Sequence, residues 1–125
     1  MSDHLTIDSL RMNKKKIEEL IQFFSKSIEE KKCKNEIVNV FHKISFYTHD
    51  FFINEELFMK KYKIPSFSKH VNEHREFADK MICFQKEFEE NKPRLCNDLL
   101  AYLKLWYDKH ILNSDEEIIA YIKDK

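Results

Sequence analysis

The segment His70-Val71-Asn72-Glu73-His74 places two imidazoles four residues apart. On a helix that interval sets them about 40° apart around the axis and one turn along it, so that both rings can reach one point. Two histidines at this spacing can share a metal ion, although many helices carry such a pair and bind nothing. Three further polar residues, Lys14, Glu55 and His110, interrupt stripes that are otherwise apolar. Side chains of these types seldom enter a core without partners, and imidazole with carboxylate is a donor set that suits iron, zinc or manganese.

The elements that must position these residues follow from periodicity. Leu10, Lys14, Ile17, Ile21, Phe24 and Ile28 alternate steps of four and three and predict a helix over 8–31. A second helix over 36–61 carries Ile37, Phe41, Ile44, Thr48, Phe51, Glu55 and Phe58. Pro65 cannot continue that helix and drives Ile64 out of the α region, after which Ser66 or Ser68 can cap the next one. The third helix, over 67–90, presents Phe67, His70, His74, Phe77, Met81, Phe84 and Phe88. Pro93 suits the first turn of a fourth helix, whose stripe is Cys96, Leu99, Leu103, Trp106 and His110. Beyond Asn113-Ser114, residues 115–125 hold Ile118, Ile119, Tyr121 and Ile122 and predict a brief docking helix.

Long helices joined by short turns must run up, down, up, down, because short loops make antiparallel neighbours. Residues 1–125 are therefore expected to form one all-α four-helix bundle domain with a short C-terminal helix. In that topology Lys14, near the start of the first helix, and Glu55, near the end of the second, fall at one end of the bundle. His70, His74 and His110 fall at that same end. Asp115 can join them under one condition. It follows His110 by five residues, about 140° around a straight helix, so the helix must end or bend near Asn113-Ser114.

Composition supports the helical reading and removes several function classes. There is no glycine and there are two prolines in 125 residues, which leaves a β-rich fold short of turn residues. Lys plus Arg and Asp plus Glu are equal at 22 each, so the chain lacks the basic surplus expected of a nucleic-acid binder. Its longest apolar runs are far too short for a membrane span, and the polar start MSDHLTID does not read as a signal peptide. Cys33, Cys83 and Cys96 are odd in number and form no CxxC pair, which fits structural thiols in a reducing, cytoplasmic compartment. His42 and His49 are expected at the surface, as are the runs Lys14-Lys15-Lys16 and Lys31-Lys32 apart from Lys14 itself.

His70-x-x-x-His74 and Trp106-x-x-x-His110-Ile111-x-x-x-Asp115, with Phe52-x-x-Glu55-Glu56-x-x-Met59 and Pro65 in the connecting loop, resemble the hemerythrin family over about residues 10–123. The resemblance implies a bundle that holds a pair of irons through histidines and two bridging carboxylates and takes up O2 reversibly. It implies that His70, His74 and His110 match the histidines of one iron, and Glu55 and Asp115 the bridging carboxylates. Two matches fail. The family's second-helix motif begins His-Phe-x-x-Glu, where this chain has Phe51, and its first helix supplies a histidine where this chain has Lys14. Both departures fall on the iron that binds O2.

The expected centre is therefore a single metal, iron before zinc or manganese, held by Glu55, His70, His74, His110 and Asp115. Lys14 is expected to supply the positive charge of the second metal, within salt-bridge distance of Glu55 or Asp115, because stranded buried carboxylates are costly. Phe51, Trp106 and Tyr107 are expected to line the pocket. The partners implied are a metal ion and O2 or a related small oxidant, with no nucleic acid and no membrane; the sequence is silent on oligomeric state. No acid–base pair for turnover stands out, so a binding role is expected rather than an enzymatic one. Two other readings remain at this level: a metal-free or zinc-binding bundle with a structural or interaction role, and a small non-haem iron enzyme acting on peroxide.

Overall fold

A chain without glycine must still reverse direction between its helices, and each reversal uses the same device. In the computed structural model, which describes residues 7–123, the helices are α1 (Ile7–Glu29), α2 (Cys33–Lys61), α3 (Phe67–Glu89) and α4 (Leu95–Trp106). At the three turns Lys31, Lys63 and Asn91 take the left-handed conformation, with φ of 58°, 52° and 55°. Around each of them the next residue donates its N–H five residues back: Lys32 to the Ser27 carbonyl, Ile64 to Met59 and Lys92 to Glu87. This paired pattern satisfies the last carbonyls of a helix and is usually completed by glycine. A Cβ in that conformation costs roughly 1–2 kcal/mol. Lys63→Gly should therefore stabilise the protein by about 0.5–1 kcal/mol after the greater freedom of the unfolded glycine is deducted, read as a higher denaturation midpoint.

The helices pack as an up-down-up-down bundle, α1 and α3 each lying against α2 and α4. Phe24 and Ile17 of α1, Ile37 and Val40 of α2, Phe77 of α3 and Leu99 and Leu103 of α4 fill its centre and are essentially inaccessible to water. Burying each such side chain contributes about 1.5–3 kcal/mol. The buried face of α1 differs from the expected stripe. It comprises Leu10, Ile17, Leu20, Phe24 and Ser27, while Ile21 and Ile28 pack only partly against the core. Both Pro65 and Pro93 lie in turns; α4 begins two residues after Pro93 rather than around it.

Two further departures matter. Cys33 and Cys96, expected as separate thiols, are joined in a disulfide with Cα atoms 6.4 Å apart. They begin α2 and α4, helices that run in the same direction, so topology puts both at the end of the bundle opposite Glu55 and His110. Cys83 is free and exposed. The C-terminal segment is not a separate docking helix after a turn. α4 continues without a break through a π-helical segment (Tyr107–Ser114) into α5 (Asp115–Lys123), whose Ile118 and Ile119 are buried. Residues 1–6, which include most of the polar start of the chain, and residues 124–125 lie outside the described part, as do the side chains of residues 7–9, Asn113 and Ser114.

Candidate metal centre

The π-helical segment brings His110 and Asp115 to one point. Its hydrogen bonds span five residues, Asp115 donating its N–H to the His110 carbonyl, so residues five apart stack one above the other as residues four apart do in an α-helix. Neither an end nor a bend of the helix is needed, which is where the sequence expectation for this region differs. On α3 the four-residue spacing of His70 and His74 works as expected, and Glu55 enters from the last turns of α2.

One ligand atom from each of Glu55, His70, His110 and Asp115 lies within 4.8 Å of all the others. His74 closes the group: its Nε2 is 2.9 Å from Glu55 Oε1 and 3.3 Å from His110 Nε2. His110 Nε2 is 3.2 Å from Asp115 Oδ1 and 3.5 Å from Glu55 Oε1, and His70 Nε2 is 3.5 Å from Asp115 Oδ1. All five residues are at least 96% shielded from water, which makes this layer the main concentration of buried charge among the described residues.

The outward nitrogens explain the orientation of the inward ones. His70 Nδ1–H donates to the Ser66 carbonyl at 3.3 Å, His74 Nδ1–H to Glu56 Oε2 at 2.8 Å and His110 Nδ1–H to Glu73 Oε1 at 2.5 Å. Ser66 makes no side-chain cap on α3; its carbonyl holds His70 instead. An outer acceptor of this kind fixes the tautomer and aims the Nε2 lone pair inward. Two rings are also clamped by flat aromatic neighbours. Phe52 stacks on His74 with centroids 3.9 Å apart, and Trp106 stacks on His110 at 4.1 Å.

Three inward lone pairs facing two carboxylates form a set of acceptors that repel unless a cation lies among them. Glu55 Oε2, His70 Nε2 and Asp115 Oδ1 are buried without a hydrogen-bond partner, as expected of donor atoms left to a metal. The residues therefore fit a first-row metal cation. Protons can serve in its place. Burial lowers the His70 pKa, but the carboxylates of Asp115 and Glu55 outweigh it and the net shift is upward. For His110, burial is again outweighed, by Asp115, Glu55 and Glu73, and the pKa rises well above the ordinary value. Burial would raise the Asp115 pKa, yet His110 and His70 bring it down to about 2.

Lys14 does not join the cluster. It is partly exposed and forms no ion pair with Glu55 or Asp115. The shifted stripe of α1 supplies the reason: Lys14 lies about 90° from the centre of the buried arc, which sets it at the bundle edge rather than over the carboxylates. Asn13 points closer to that centre and lines a groove of about 710 Å³ between α1 and α2, with Tyr47 and Phe51 also in its wall. Phe51 is buried and packs on Tyr47 and Phe52. Tyr107, expected beside the pocket, donates its hydroxyl to Glu18 of α1 instead. Burial and that carboxylate push its pKa up to about 12. His42 and His49 are exposed.

Sequence reasoning gave no role to Glu56, Glu73, Phe52 or the Ser66 carbonyl. Adjacency was the available signal: Glu56 follows Glu55, and Glu73 lies between the two α3 histidines.

The family model described as hemerythrin HHE cation binding domain matches residues 5–122. No curated protein and no solved structure gives a significant match to the chain. No helix of the described residues is long and apolar enough to cross a membrane.

Proposed function

From the premise that this chain belongs to the hemerythrin family, we propose that it binds a single iron through His70, His74, His110, Glu55 and Asp115 and serves oxygen or redox sensing or iron storage rather than O2 carriage. One observation carries the reading: the buried convergence of three outward-anchored imidazoles and two carboxylates, with no ion pair to a lysine or arginine among the described residues. The family's second-metal histidines are replaced by Lys14, which stays at the bundle edge, and by Phe51, which fills its place with a ring.

A bound iron would supply a redox-active Lewis acid, and zinc or manganese would fit the same donors. The chain's own residues do the rest. Glu73, Glu56 and the Ser66 carbonyl orient the imidazoles and raise their basicity. Phe52 and Trp106 cover two of the rings and lower the dielectric around them. The role we propose for the cluster is binding rather than turnover.

Protein loaded with Fe(II) under argon and cycled between air and argon tests the reading. No visible band should rise and fall with O2, because one Fe(II) cannot supply an electron from each of two irons. A reversible band would restore the oxygen-carrier function.

A further inference from the structure

On the α1–α2 side of the bundle another polar atom is buried without a partner. The Tyr47 hydroxyl oxygen is shielded from water and makes no hydrogen bond. Leaving a hydroxyl in that condition costs about 1–3 kcal/mol, so a buried tyrosine normally finds an acceptor. Tyr47 lies one helical turn before Phe51, with ring centroids 5.4 Å apart, and both line the groove between α1 and α2. The other unpartnered buried side-chain atoms of the described residues are Trp106 Nε1 and three in the cluster: Glu55 Oε2, His70 Nε2 and Asp115 Oδ1. The carboxylates of the cluster also act on Tyr47 through their charge. Burial, then the charges of Asp115 and Glu55, hold its phenol protonated well beyond the ordinary range.

We propose that Tyr47 is a ligand of the metal centre, its phenolate oxygen completing the donor set. The inference rests on the metal-binding reading above. On metal binding the phenol O–H bond breaks heterolytically, the proton leaves to solvent and the oxygen keeps the electron pair that it gives to the cation. A bound cation reverses the local electrostatics that otherwise keep the phenol neutral. A phenolate added to two carboxylates would make the donor set richer in hard oxygen, which would favour ferric iron over zinc.

The full-length protein is loaded with iron and oxidised to the ferric state under argon with a chemical oxidant, so that O2 plays no part. A phenolate-to-iron charge-transfer band should appear in the visible, persist under argon and vanish on reduction. Tyr47→Phe should lose the band while its iron content per chain stays that of the wild type. Resonance Raman excitation within the band should show tyrosinate ring modes in the wild-type protein, a readout that does not depend on how the variant folds. Iron bound without such a band, or a band undiminished in Tyr47→Phe, overturns the role of Tyr47 and leaves the metal-binding reading standing. Failure of the wild-type protein to bind iron overturns both.

Discussion

His74→Gln should strip the protein of its metal while the four helices remain. His74 Nε2 lies 2.9 Å from Glu55 and 3.3 Å from His110, so its loss opens the centre of the donor set. Glutamine is a poor ligand for a first-row metal, but its amide can still donate to Glu55, a carboxylate with no exposure to water. His74→Ala removes that donor as well and strands the carboxylate, at a cost of about 3–5 kcal/mol. Both variants should lose metal, and the alanine variant should melt at the lower temperature. Substitutions one layer out should be milder. Glu73→Gln and Glu56→Gln loosen the anchors of His110 and His74 without removing a ligand and should weaken metal binding about 10- to 100-fold. Equilibrium metal titration with a competing chelator orders the four variants, and circular dichroism reports whether the helices persist. A wild-type affinity in His74→Gln would remove His74 from the site.

Metal-free and metal-loaded protein should respond to pH in opposite directions above neutrality. Without metal, His70 and His110 have raised pKa values, mainly because the favourable effect of Asp115 and its neighbouring carboxylates exceeds the burial penalty. A raised pKa stabilises the fold fully below the unfolded-state value of about 6.5 and loses that contribution as pH climbs through the folded-state value. Asp115 acts on the other side. Its pKa of about 2 against an ordinary 3.8 contributes stability above the ordinary value, about 2 kcal/mol, which is lost as pH falls through the lowered one. The metal-free protein should thus be most stable between about pH 4 and 6.5 and decline on either side. A metal needs the inward nitrogens unprotonated, so protons compete with it and its affinity should grow as pH rises. The gain in thermal midpoint on adding metal should increase from pH 6 to pH 8.5. A gain independent of pH would place the metal elsewhere than on these imidazoles.

The bundle and most of the cluster were legible because two regularities reinforce each other. Alternating steps of three and four fixed the helices, and short turns fixed their directions, so polar interruptions at Glu55, His70, His74 and His110 had to meet at one end. What escaped depends on departures from the regular helix. The π-helical segment has no propensity signature, yet it alone stacks Asp115 over His110. Lys14 was misplaced for a related reason: the stripe through Leu10 and Ile17 can be continued through Ile21 or Leu20, and the structure buries Leu20. That small rotation moves Lys14 to the bundle edge and turns Asn13 inward. The pairing of Cys33 with Cys96 spans 63 residues and follows from helix direction, not from any local motif. Tyr47 lies off the apolar stripe of the second helix and carries no motif, so only its unpartnered hydroxyl sets it apart.

Anomalous diffraction from crystals of iron-loaded protein tests the single-metal centre most directly. One peak per chain is expected, flanked by the imidazoles of His70, His74 and His110 and the carboxylates of Glu55 and Asp115 at roughly 2.0–2.3 Å, the usual range for first-row metals with nitrogen and oxygen ligands. Two peaks within the bundle, or iron bound anywhere outside these five residues, would contradict it.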